Sequence, residues 1–303
     1  MLNIWKKNGF QGFVRCEPFE NFLKIMRSGC LKSRAKLEAE GVEFDDVAMT
    51  EVIDQTPDWV KKYVRFYFKE KTPTFYRNEG IQRNPNEKDG HNPIPVCLIF
   101  SEKLINAKGT IVSNGGLGSK ASSYTESFCD ALEYDWQSIF SRGPHSIESD
   151  DVNLKIKTKR DAEFLVPKSI SIDFIDKIIF RCEADYNRAV FELGHNPLFS
   201  VDGSKFNLTT GIYEKRGEDR NCLMNYRVKS TVSGYHVDFV FYKNPDYYSH
   251  EVYASYHDGT VAKVPIIWHH HDEETMGFDI NLGKANLDRV EYKLNGITSA
   301  VWR

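Results

Sequence analysis

The stretch Lys159-Arg160-Asp161-Ala162-Glu163-Phe164-Leu165-Val166-Pro167 is a short strand pattern that carries a carboxylate among apolar neighbours. Successive residues of a strand point to opposite faces, so Glu163 and Leu165 share one face and Phe164 lies on the other. A carboxylate among apolar neighbours is either an unfavourable, unpaired charge, an ion-pair partner or a catalytic group. Glu163 is therefore the first candidate for a functional residue.

Composition limits the class of protein. The chain has 303 residues, a formal net charge of −3 and 41% hydrophobic residues, which suits one large domain or two smaller ones. A net charge this close to zero argues against a surface coated in basic residues for duplex DNA, although a local basic groove remains compatible with it. The first ten residues lack the apolar region of a signal peptide, and no run reaches the roughly 18 apolar residues of a membrane span. We expect a cytoplasmic protein with no membrane contact.

Cysteine and histidine usage gives no metal signature. None of the six cysteines forms a CxxC pair, so free thiols in a reducing compartment are expected. The run His269-His270-His271-Asp272-Glu273-Glu274 invites a metal interpretation. Adjacent residues of a strand point to opposite faces, however, so this run is interpreted as a polar strand exit and no metal is expected.

Up to about residue 198 the apolar pattern predicts mixed helices and strands. Gly29 is a good stop for the first helix, and residues 34–60 look like an acidic surface loop with one short helix. The Gly-rich segment Asn114–Ser119 lacks the lysine of a phosphate-binding loop and is interpreted as a flexible turn. The predicted helices are 18–29, 128–140 and 183–193. The predicted strands are 63–68, 95–100 and 163–166, and the segment 170–180 is expected to contain another strand.

From about Ser200 onwards, short alternating segments dominate, and turns such as Asp258-Gly259 and Asn295-Gly296 separate or end them. Strands at this spacing indicate an all-β sandwich. We therefore predict two domains, 1–198 and 199–303. The strands predicted in the second are 204–210, 225–231, 235–242, 249–256, 261–268, 277–281 and 289–294.

Four blocks of the first domain occur in a consistent order: Asn21–Leu31, Tyr63–Phe68 (followed by Thr72-Pro73-Thr74 and Tyr76), Tyr134–Gln137 and Ala162–Val166. Together they resemble the DarT family of bacterial toxins, which ADP-ribosylate DNA bases using NAD. The second block is similar to that family's Tyr-Val-Pro-Phe-Tyr-Phe strand. The fourth resembles the Ala-Glu-Phe-Leu-Val strand that carries its catalytic glutamate, here Glu163.

The resemblance implies an α+β fold. The expected architecture is an ADP-ribosyltransferase-like split, strongly bent β-core with peripheral helices, followed by the all-β sandwich-like C-terminal domain. It also implies NAD as co-substrate. Where the family has a Tyr-His-Phe-Thr motif, this chain has Val14-Arg15-Cys16-Glu17, and Arg65 occupies the position of the family's proline. Arg65, Arg15 and Arg34 are therefore all candidates for the arginine that grips NAD, and Arg65 is placed with Glu163 in the catalytic pair.

The chemistry explains why these residue types suit the reaction. Release of nicotinamide leaves an oxocarbenium-like ribose, which a fixed carboxylate such as Glu163 stabilises. Tyr67 and Tyr76 are candidates for stacking on nicotinamide or on a flipped base, with plain core packing as the alternative. Asn21 is a candidate contact to the nicotinamide end, with helix capping as its alternative.

Basic residues near these blocks are candidate phosphate contacts for a single-stranded nucleic acid: Lys69, Lys71, Arg77, Lys159 and Arg160. A solvated charged face is the alternative interpretation of the same residues.

The leading hypothesis is a toxin that transfers ADP-ribose from NAD to a nucleobase of single-stranded DNA. It would belong to a toxin-antitoxin or phage-defence system, with a cognate antitoxin as partner. The alternatives are the same chemistry on RNA, an inactive NAD- or nucleic-acid-binding module, and a protein-directed transferase.

Overall fold

The computed structural model describes residues 1–84, 90–119, 121–143, 150–210, 220–270 and 273–303. The chain divides into two compact units. The first comprises Met1–Asn78, Glu87–His91 and Val96–Ile179, and the second comprises Glu79–Asn86, Asn92–Pro95 and Phe180–Arg303. The units change over at Phe180, ahead of the domain boundary predicted at residue 198, which stays a prediction.

The α-helices of the described ranges are α1 (Leu2–Lys7), α2 (Phe19–Ser28), α3 (Arg34–Ala39), α4 (Thr50–Gln55), α5 (Asp58–Lys61), α6 (Pro73–Asn78), α7 (Trp136–Phe140), α8 (Asp150–Arg160) and α9 (Glu183–Leu193). The strands up to Phe180 are β1 (Phe13–Pro18), β2 (Cys30–Lys32), β3 (Tyr63–Tyr67), β4 (Ile81–Gln82), β5 (Pro95–Phe100), β6 (Ile111–Ser113), β7 (Tyr124–Thr125), β8 (Glu163–Pro167), β9 (Ser169–Ser171) and β10 (Ile175–Phe180). None of these helices is long and apolar enough to cross a membrane.

The main sheet of the first unit has the strand order β10-β5-β1-β3-β8-β6-β7. Two neighbouring inner strands of this sheet, β3 and β8, are the aromatic block and the glutamate block of the sequence. One face of the sheet is packed with aromatic rings, and the ring centroids of Phe13 and Phe164 lie 4.0 Å apart in a stacked arrangement. Trp5 and Phe66 are fully buried in the same core. This apolar face fixes the register, so the opposite face is free to carry polar groups.

Helix α2 follows the predicted apolar stripe. Phe19, Phe22, Leu23 and Ile25 are buried, and Gly29 ends the helix in the left-handed conformation at φ 70°. A residue with a Cβ is disfavoured in that conformation, which is why glycine is the usual stop. The predicted helix and its C-terminal stop are confirmed.

Three local predictions are wrong, and one helix was missed. The predicted helix 128–140 is a 3-10 turn at Asp130–Glu133 followed by α7, because the Asp135 side chain accepts from Ser138 N and starts a new helix. Residues 34–60 hold the three helices α3, α4 and α5 rather than one. The predicted strand 204–210 is two 3-10 turns. Helix α8 was not predicted because its eleven residues carry only three large apolar side chains.

The expectation of six free thiols is also corrected. Cys16 and Cys97 form a disulfide with an S–S distance of 2.05 Å, although 81 residues separate them in the chain. They become neighbours because β1 and β5 are adjacent in the sheet, a relation that cysteine spacing alone does not show. Cys30, Cys129, Cys182 and Cys222 are free.

The second unit is a two-sheet sandwich, which confirms the predicted all-β tail. Its sheets have the orders β13-β14-β18-β17 and β16-β15-β19-β20, and both contribute to one core in which Phe239 stacks on Tyr292 at 4.3 Å. Helix α9 packs against strands β13 and β20 of this unit. The remaining strands are β11 (Phe199–Val201), β12 (Arg220–Asn221), β13 (Leu223–Ser230), β14 (Gly234–Phe241), β15 (His250–Tyr256), β16 (Val261–Val264), β17 (Ile267–His270), β18 (Thr275–Asn281), β19 (Leu287–Leu294) and β20 (Ile297–Trp302).

Candidate active site

Two neighbouring strands bring the predicted catalytic residues together. Strands β3 and β8 are antiparallel, with Tyr67 opposite Glu163 and Arg65 opposite Leu165. Residues directly opposite each other in an antiparallel pair share a face. Because residues two apart also share a face, Arg65, Tyr67, Glu163 and Leu165 all lie on the face away from the aromatic core.

Glu163 and Arg65 form a partly buried ion pair that is held by three hydrogen bonds. Arg65 Nε and Nη2 donate to Glu163 Oε1 at 3.0 and 2.7 Å, and Nη2 also donates to Oε2 at 3.0 Å. The amide of Leu117 donates to Oε2 at 3.2 Å. The Glu163 side chain is 2% exposed, whereas that of Arg65 is 28% exposed. Charge-assisted donors on both oxygens fix the carboxylate in one orientation and leave part of the guanidinium open to a ligand.

The electrostatics of the pair extend to Tyr67. Burial lowers the pKa of Arg65, but the negative charge of Glu163 raises it, and its net pKa lies above the ordinary value. Burial, followed by the negative charge of Glu163, raises the pKa of Tyr67 well above its usual range. Tyr67 is therefore a neutral phenol at physiological pH and can donate a hydrogen bond or present its ring face.

The Gly-rich segment Asn114–Ser119 positions Glu163, and the interpretation of a flexible turn missed this. Glu163 N donates to Ser113 Oγ at 2.9 Å, and that hydroxyl donates to Gly115 O at 2.7 Å. A Cβ on Gly115 would lie 2.6 Å from Ser122 Oγ and 2.9 Å from the Thr158 carbonyl oxygen. Glycine is required because the loop backbone packs this closely, and the close packing brings the Leu117 amide to the carboxylate.

Arg15 lies beside the pair. Its Nη1 donates to the carbonyl oxygen of Arg65 at 3.3 Å and its Nε pairs with the buried Glu17 carboxylate. The Arg15 side chain is 29% exposed. The structure thus brings two of the three candidate arginines to the same part of strand β3.

Arg34 lies in a different cluster. It pairs with Glu38 and Asp46, and its guanidinium lies 5.0 Å from the centre of the Phe44 ring. An open pocket of about 490 Å³ adjoins it. The charged residues that line this pocket are Lys24, Arg34, Glu38, Glu43, Asp45 and Asp46. Four carboxylates against two cations are a poor environment for a pyrophosphate.

Asn21 ties helix α2 to the segment before α4. Its amide oxygen accepts from Asp45 N at 2.9 Å, and its amide nitrogen donates to Asp45 O at 2.9 Å and to Glu17 Oε2 at 3.3 Å. The amide is thus engaged with the protein itself. The capping role considered from the sequence is replaced by this link, and a contact to nicotinamide stays a prediction. Tyr76 lies half-buried on α6.

Sequence reasoning missed Asp161. This residue is 9% exposed, and its Oδ1 accepts from Thr74 N at 3.1 Å. Burial raises its pKa to about 6, and the charge of Glu163 adds to the shift. Asp161 lies in the turn between α8 and β8, and the contact with Thr74 that buries it joins residues 87 positions apart, which the sequence does not show.

The candidate phosphate contacts do not form one set. The expectation that Lys69 contacts phosphate is corrected, because its side chain is 4% exposed and its ammonium donates to Ser141 O. Burial, together with the nearby charges of Arg160 and Arg142, lowers the pKa of Lys69 to about 7. Lys159 pairs with Asp135 at 2.8 Å. Arg160 donates to Ser141 Oγ and to Gly143 O.

Lys71 is half-buried and Arg77 is exposed. Both are placed closer to solvent than Lys69, and a role in binding nucleic acid stays a prediction for them and for the two basic residues of α8.

The histidine run lies in the second unit. His269 pairs with Asp279 at 2.7 Å, and residues 271 and 272 lie outside the described ranges. Within the described part of the chain, no group of three or more His, Cys, Asp or Glu side chains is arranged to hold a metal ion.

Comparisons with known proteins identify the fold and the family. The family model of DarT, described as ssDNA thymidine ADP-ribosyltransferase, matches residues 15–206. A comparison with curated proteins finds no match.

Two similar solved structures carry the same family name. DarT of Thermus sp. 2.9 in complex with ADP-ribosylated ssDNA has a TM-score of 0.51 and 15% identity, over 64% of this chain and 95% of that one. DarTG of Thermosipho africanus in complex with ADP-ribose has a TM-score of 0.52 and 14% identity, over 65% of this chain and 51% of that one. At these identities the likeness establishes the shared fold, and it confirms the expected fold class. Since the family model covers more than half of the chain, this protein belongs to the DarT family of ADP-ribosyltransferases, as the resemblance implied.

Proposed function

We propose that this chain transfers ADP-ribose from NAD to a thymidine base of single-stranded DNA and releases nicotinamide. The observation that carries the proposal is the buried Glu163 carboxylate, which Arg65 and the Leu117 amide hold by both oxygens. The family description and the ADP-ribosylated ssDNA bound to the Thermus relative support the choice of acceptor.

The fixed carboxylate suits the bond that breaks. As the bond between ribose C1 and the nicotinamide nitrogen opens, positive charge develops on the ribose. Glu163 stabilises that charge more than it stabilises the neutral sugar, and it needs no reorganisation because its donors already fix it. A ring nitrogen of the base then bonds to C1 and loses its proton. The products are the ADP-ribosylated base, nicotinamide and one proton.

The neighbouring residues would bind the rest of NAD. Arg65 and Arg15 present two planar guanidinium groups at the same strand, a geometry that suits phosphate oxygens. Tyr67 stands opposite Glu163, where its ring or its neutral hydroxyl can contact nicotinamide. Arg34 is less suited, because carboxylates dominate its pocket.

We also propose that the chain acts as a cytoplasmic toxin within a toxin-antitoxin or phage-defence system. An enzyme that modifies DNA bases damages templates in its own cell, so a cognate antitoxin must restrain or reverse it. Induced expression of the wild-type chain alone is expected to stop growth, whereas expression of Glu163→Gln is not.

The enzymatic test is NAD consumption by the purified full chain with single-stranded DNA, with RNA or with no nucleic acid, followed by mass spectrometry of each oligonucleotide. We expect an adduct on DNA. The Glu163→Gln variant is expected to lower kcat on the order of 10²- to 10⁴-fold, because the carboxylate charge is lost while its shape is kept. Glu102→Gln is the matched control, since Glu102 is an exposed glutamate paired with Lys6.

Other outcomes select the alternatives. An adduct on RNA and none on DNA selects the RNA enzyme. Label on protein and never on nucleic acid selects a protein-directed transferase. NAD binding with no nicotinamide release in any arm selects the inactive binding module, and equal rates for wild type and Glu163→Gln remove Glu163 from the reaction.

A further inference from the structure

Three aromatic side chains form a partly exposed surface near the strand of Glu163. The Trp59 ring centroid lies 4.5 Å from that of Tyr124, with 43° between the planes, and 6.0 Å from that of Tyr63, with 85° between the planes. Tyr124 is 51% exposed, and Trp59 and Tyr63 are half-buried. We call Trp59, Tyr63 and Tyr124 the aromatic platform.

The platform rests on a small apolar core. Trp59 and Tyr63 pack against the buried side chains Val60, Ile111, Leu117 and Leu165. Leu117 supplies the amide that holds Glu163, and Leu165 shares a strand face with Glu163. The apolar core under the platform therefore includes Leu117 and Leu165, which also belong to the candidate active site.

Tyr124 is held in place by the strand pair at the end of the Gly-rich segment. It lies opposite Ser113 in the β6–β7 pair, and Ser113 is the residue whose hydroxyl accepts from Glu163 N. Next to it, Asn114 N donates to Ser123 O at 3.0 Å, and Ser123 N donates to Asn114 Oδ1 at 2.9 Å. A half-exposed ring on a backbone fixed in this way is ready to bind a flat ligand at low entropic cost.

The distance to Glu163 suits a nucleotide a few positions away on the same strand of DNA. Tyr63 and Tyr67 are four residues apart on one face of β3, which corresponds to about 13 Å at the rise of a strand. Tyr67 stands opposite Glu163. Successive nucleotides of a stacked strand are spaced by roughly 3.4 Å and those of an extended strand by more. A base on the platform would therefore lie within a few nucleotides of the base that reacts.

Charge next to the platform favours a polyanion. Lys62 and Lys168 are exposed, and the Lys168 amide donates to the Lys62 carbonyl oxygen at 3.0 Å. These two lysines flank the Tyr63–Pro167 pair at the ends of β3 and β8. Ring faces with ammonium groups beside them are the combination by which proteins bind single-stranded nucleic acid.

We propose that the aromatic platform stacks a base of the single-stranded DNA substrate a few nucleotides from the base that is modified. The inference deepens the proposed function and rests on it for the identity of the ligand. Every base has a π face, so a Trp59–Tyr124 surface binds without reading sequence. It would hold the flanking strand while the target base reaches ribose C1.

The test measures binding of labelled single-stranded DNA by fluorescence anisotropy, with NAD omitted so that no transfer is needed. The full chain is compared with Tyr124→Ala and with the matched control Tyr124→Phe, which keeps the ring. Tyr124→Ala is expected to weaken DNA binding on the order of 10- to 100-fold, as loss of one base–aromatic stack does, and Tyr124→Phe to leave it unchanged. Affinity for NAD alone is expected to be the same in all three proteins.

A second arm uses DNA with an abasic site at each position near the target thymidine. At the position that stacks on the platform, the abasic site weakens wild-type binding but adds nothing to Tyr124→Ala, because the two changes remove one contact. Equal DNA affinity of wild type and Tyr124→Ala would overturn the inference, as would parallel losses of DNA and NAD affinity, which mark a structural role. Failure of the proposed function is distinct, since it shows as absence of an adduct from the wild-type enzyme.

Discussion

Arg65 and Glu163 show how one changed position alters a site. Arg65 stands where the resemblance places a proline, and a proline can neither donate from its nitrogen nor carry charge. In its place, a guanidinium makes three hydrogen bonds to the glutamate opposite. Strand alternation was enough to predict that Glu163 points away from Phe164. The Leu117 amide was not predictable, because a residue 46 positions away supplies it.

Asp161 leads to a prediction about pH and stability. Burial raises its pKa from 3.8 to about 6, so its contribution to stability is fully present below 3.8 and is lost as pH rises through about 6. Asp161→Asn keeps an acceptor for the Thr74 amide and removes the charge. We expect the variant to gain up to about 3 kcal/mol over wild type above pH 6, and no gain below pH 3.8.

Thermal unfolding of both proteins on either side of pH 6 measures this difference. Asp176→Asn is the control, since Asp176 is an exposed aspartate of the same unit. A gain that does not vary with pH would contradict the assignment of the titration to Asp161.

The Gly-rich segment Asn114–Ser119 carries a prediction about loop packing. A methyl on Gly115 would press on the Thr158 carbonyl at 2.9 Å, and that carbonyl accepts from the next amide of the loop, Gly116 N. Gly115→Ala should therefore shift the Leu117 amide from Glu163. A shift of the catalytic carboxylate on the order of 1 Å is expected to lower kcat by about 10- to 100-fold.

Steady-state kinetics with NAD and DNA test this expectation, and circular dichroism verifies that the fold is kept. Gly283→Ala is the control, because a Cβ there meets nothing within 4 Å. If Gly115→Ala keeps the wild-type kcat, the loop does not set the position of the carboxylate.

Helices and strands with a regular pattern of apolar residues were predictable from the sequence. Features that depend on one contact in the folded chain were not. Strands β3, β5 and β8 follow from β-branched and aromatic runs, and α2 follows from its apolar stripe and Gly29. Helix α8 has no such stripe. Lys69 shows the same limit: its charge suggested a solvent-facing groove, but its ammonium bonds to a carbonyl that only the folded chain brings near.

The family model covers most of the first unit but only the beginning of the last segment of the second. The family model ends at residue 206, so the sandwich from β13 onwards is an addition to the matched part. Periodicity predicted this sandwich, because strands such as β13, β14 and β19 alternate more buried and less buried residues. It did not predict the change between units at Phe180, since α9 packs against strands β13 and β20 that lie far along the chain.

A histidine cluster makes the stability of the second unit depend on pH. His236 lies between two carboxylates, with Nδ1 2.7 Å from Asp279 Oδ1 and Nε2 3.0 Å from Asp238 Oδ1, and His269 contacts the other oxygen of Asp279 at 2.7 Å. The hydrogen bond to Asp279, more than any other contact, raises the pKa of His236 above 6.5. The added stability is present below pH 6.5 and is lost as pH rises through the raised value.

The expected outcome is that the unfolding midpoint of the second unit falls by a few degrees over this window in the wild-type protein and stays flat in His236→Gln. Hydrogen exchange followed by mass spectrometry assigns the change to strands β14, β17 and β18. His195→Gln is the control, since His195 is an exposed histidine of the same unit. An unchanged pH profile in His236→Gln would assign the effect to other groups.

The hydrogen bond from the Leu117 main-chain amide to the Glu163 carboxylate determines which substitutions at position 117 can inactivate the enzyme. Every amino acid except proline brings the same N–H group, so no ordinary side-chain replacement deletes this donor. Leu117 is 8% exposed, so large polar residues are excluded for packing reasons, whereas apolar ones of similar size keep both the bond and the fold. In a library of random alleles, position 117 should tolerate valine, isoleucine and methionine, and proline should stand apart as the allele that is folded elsewhere yet inactive.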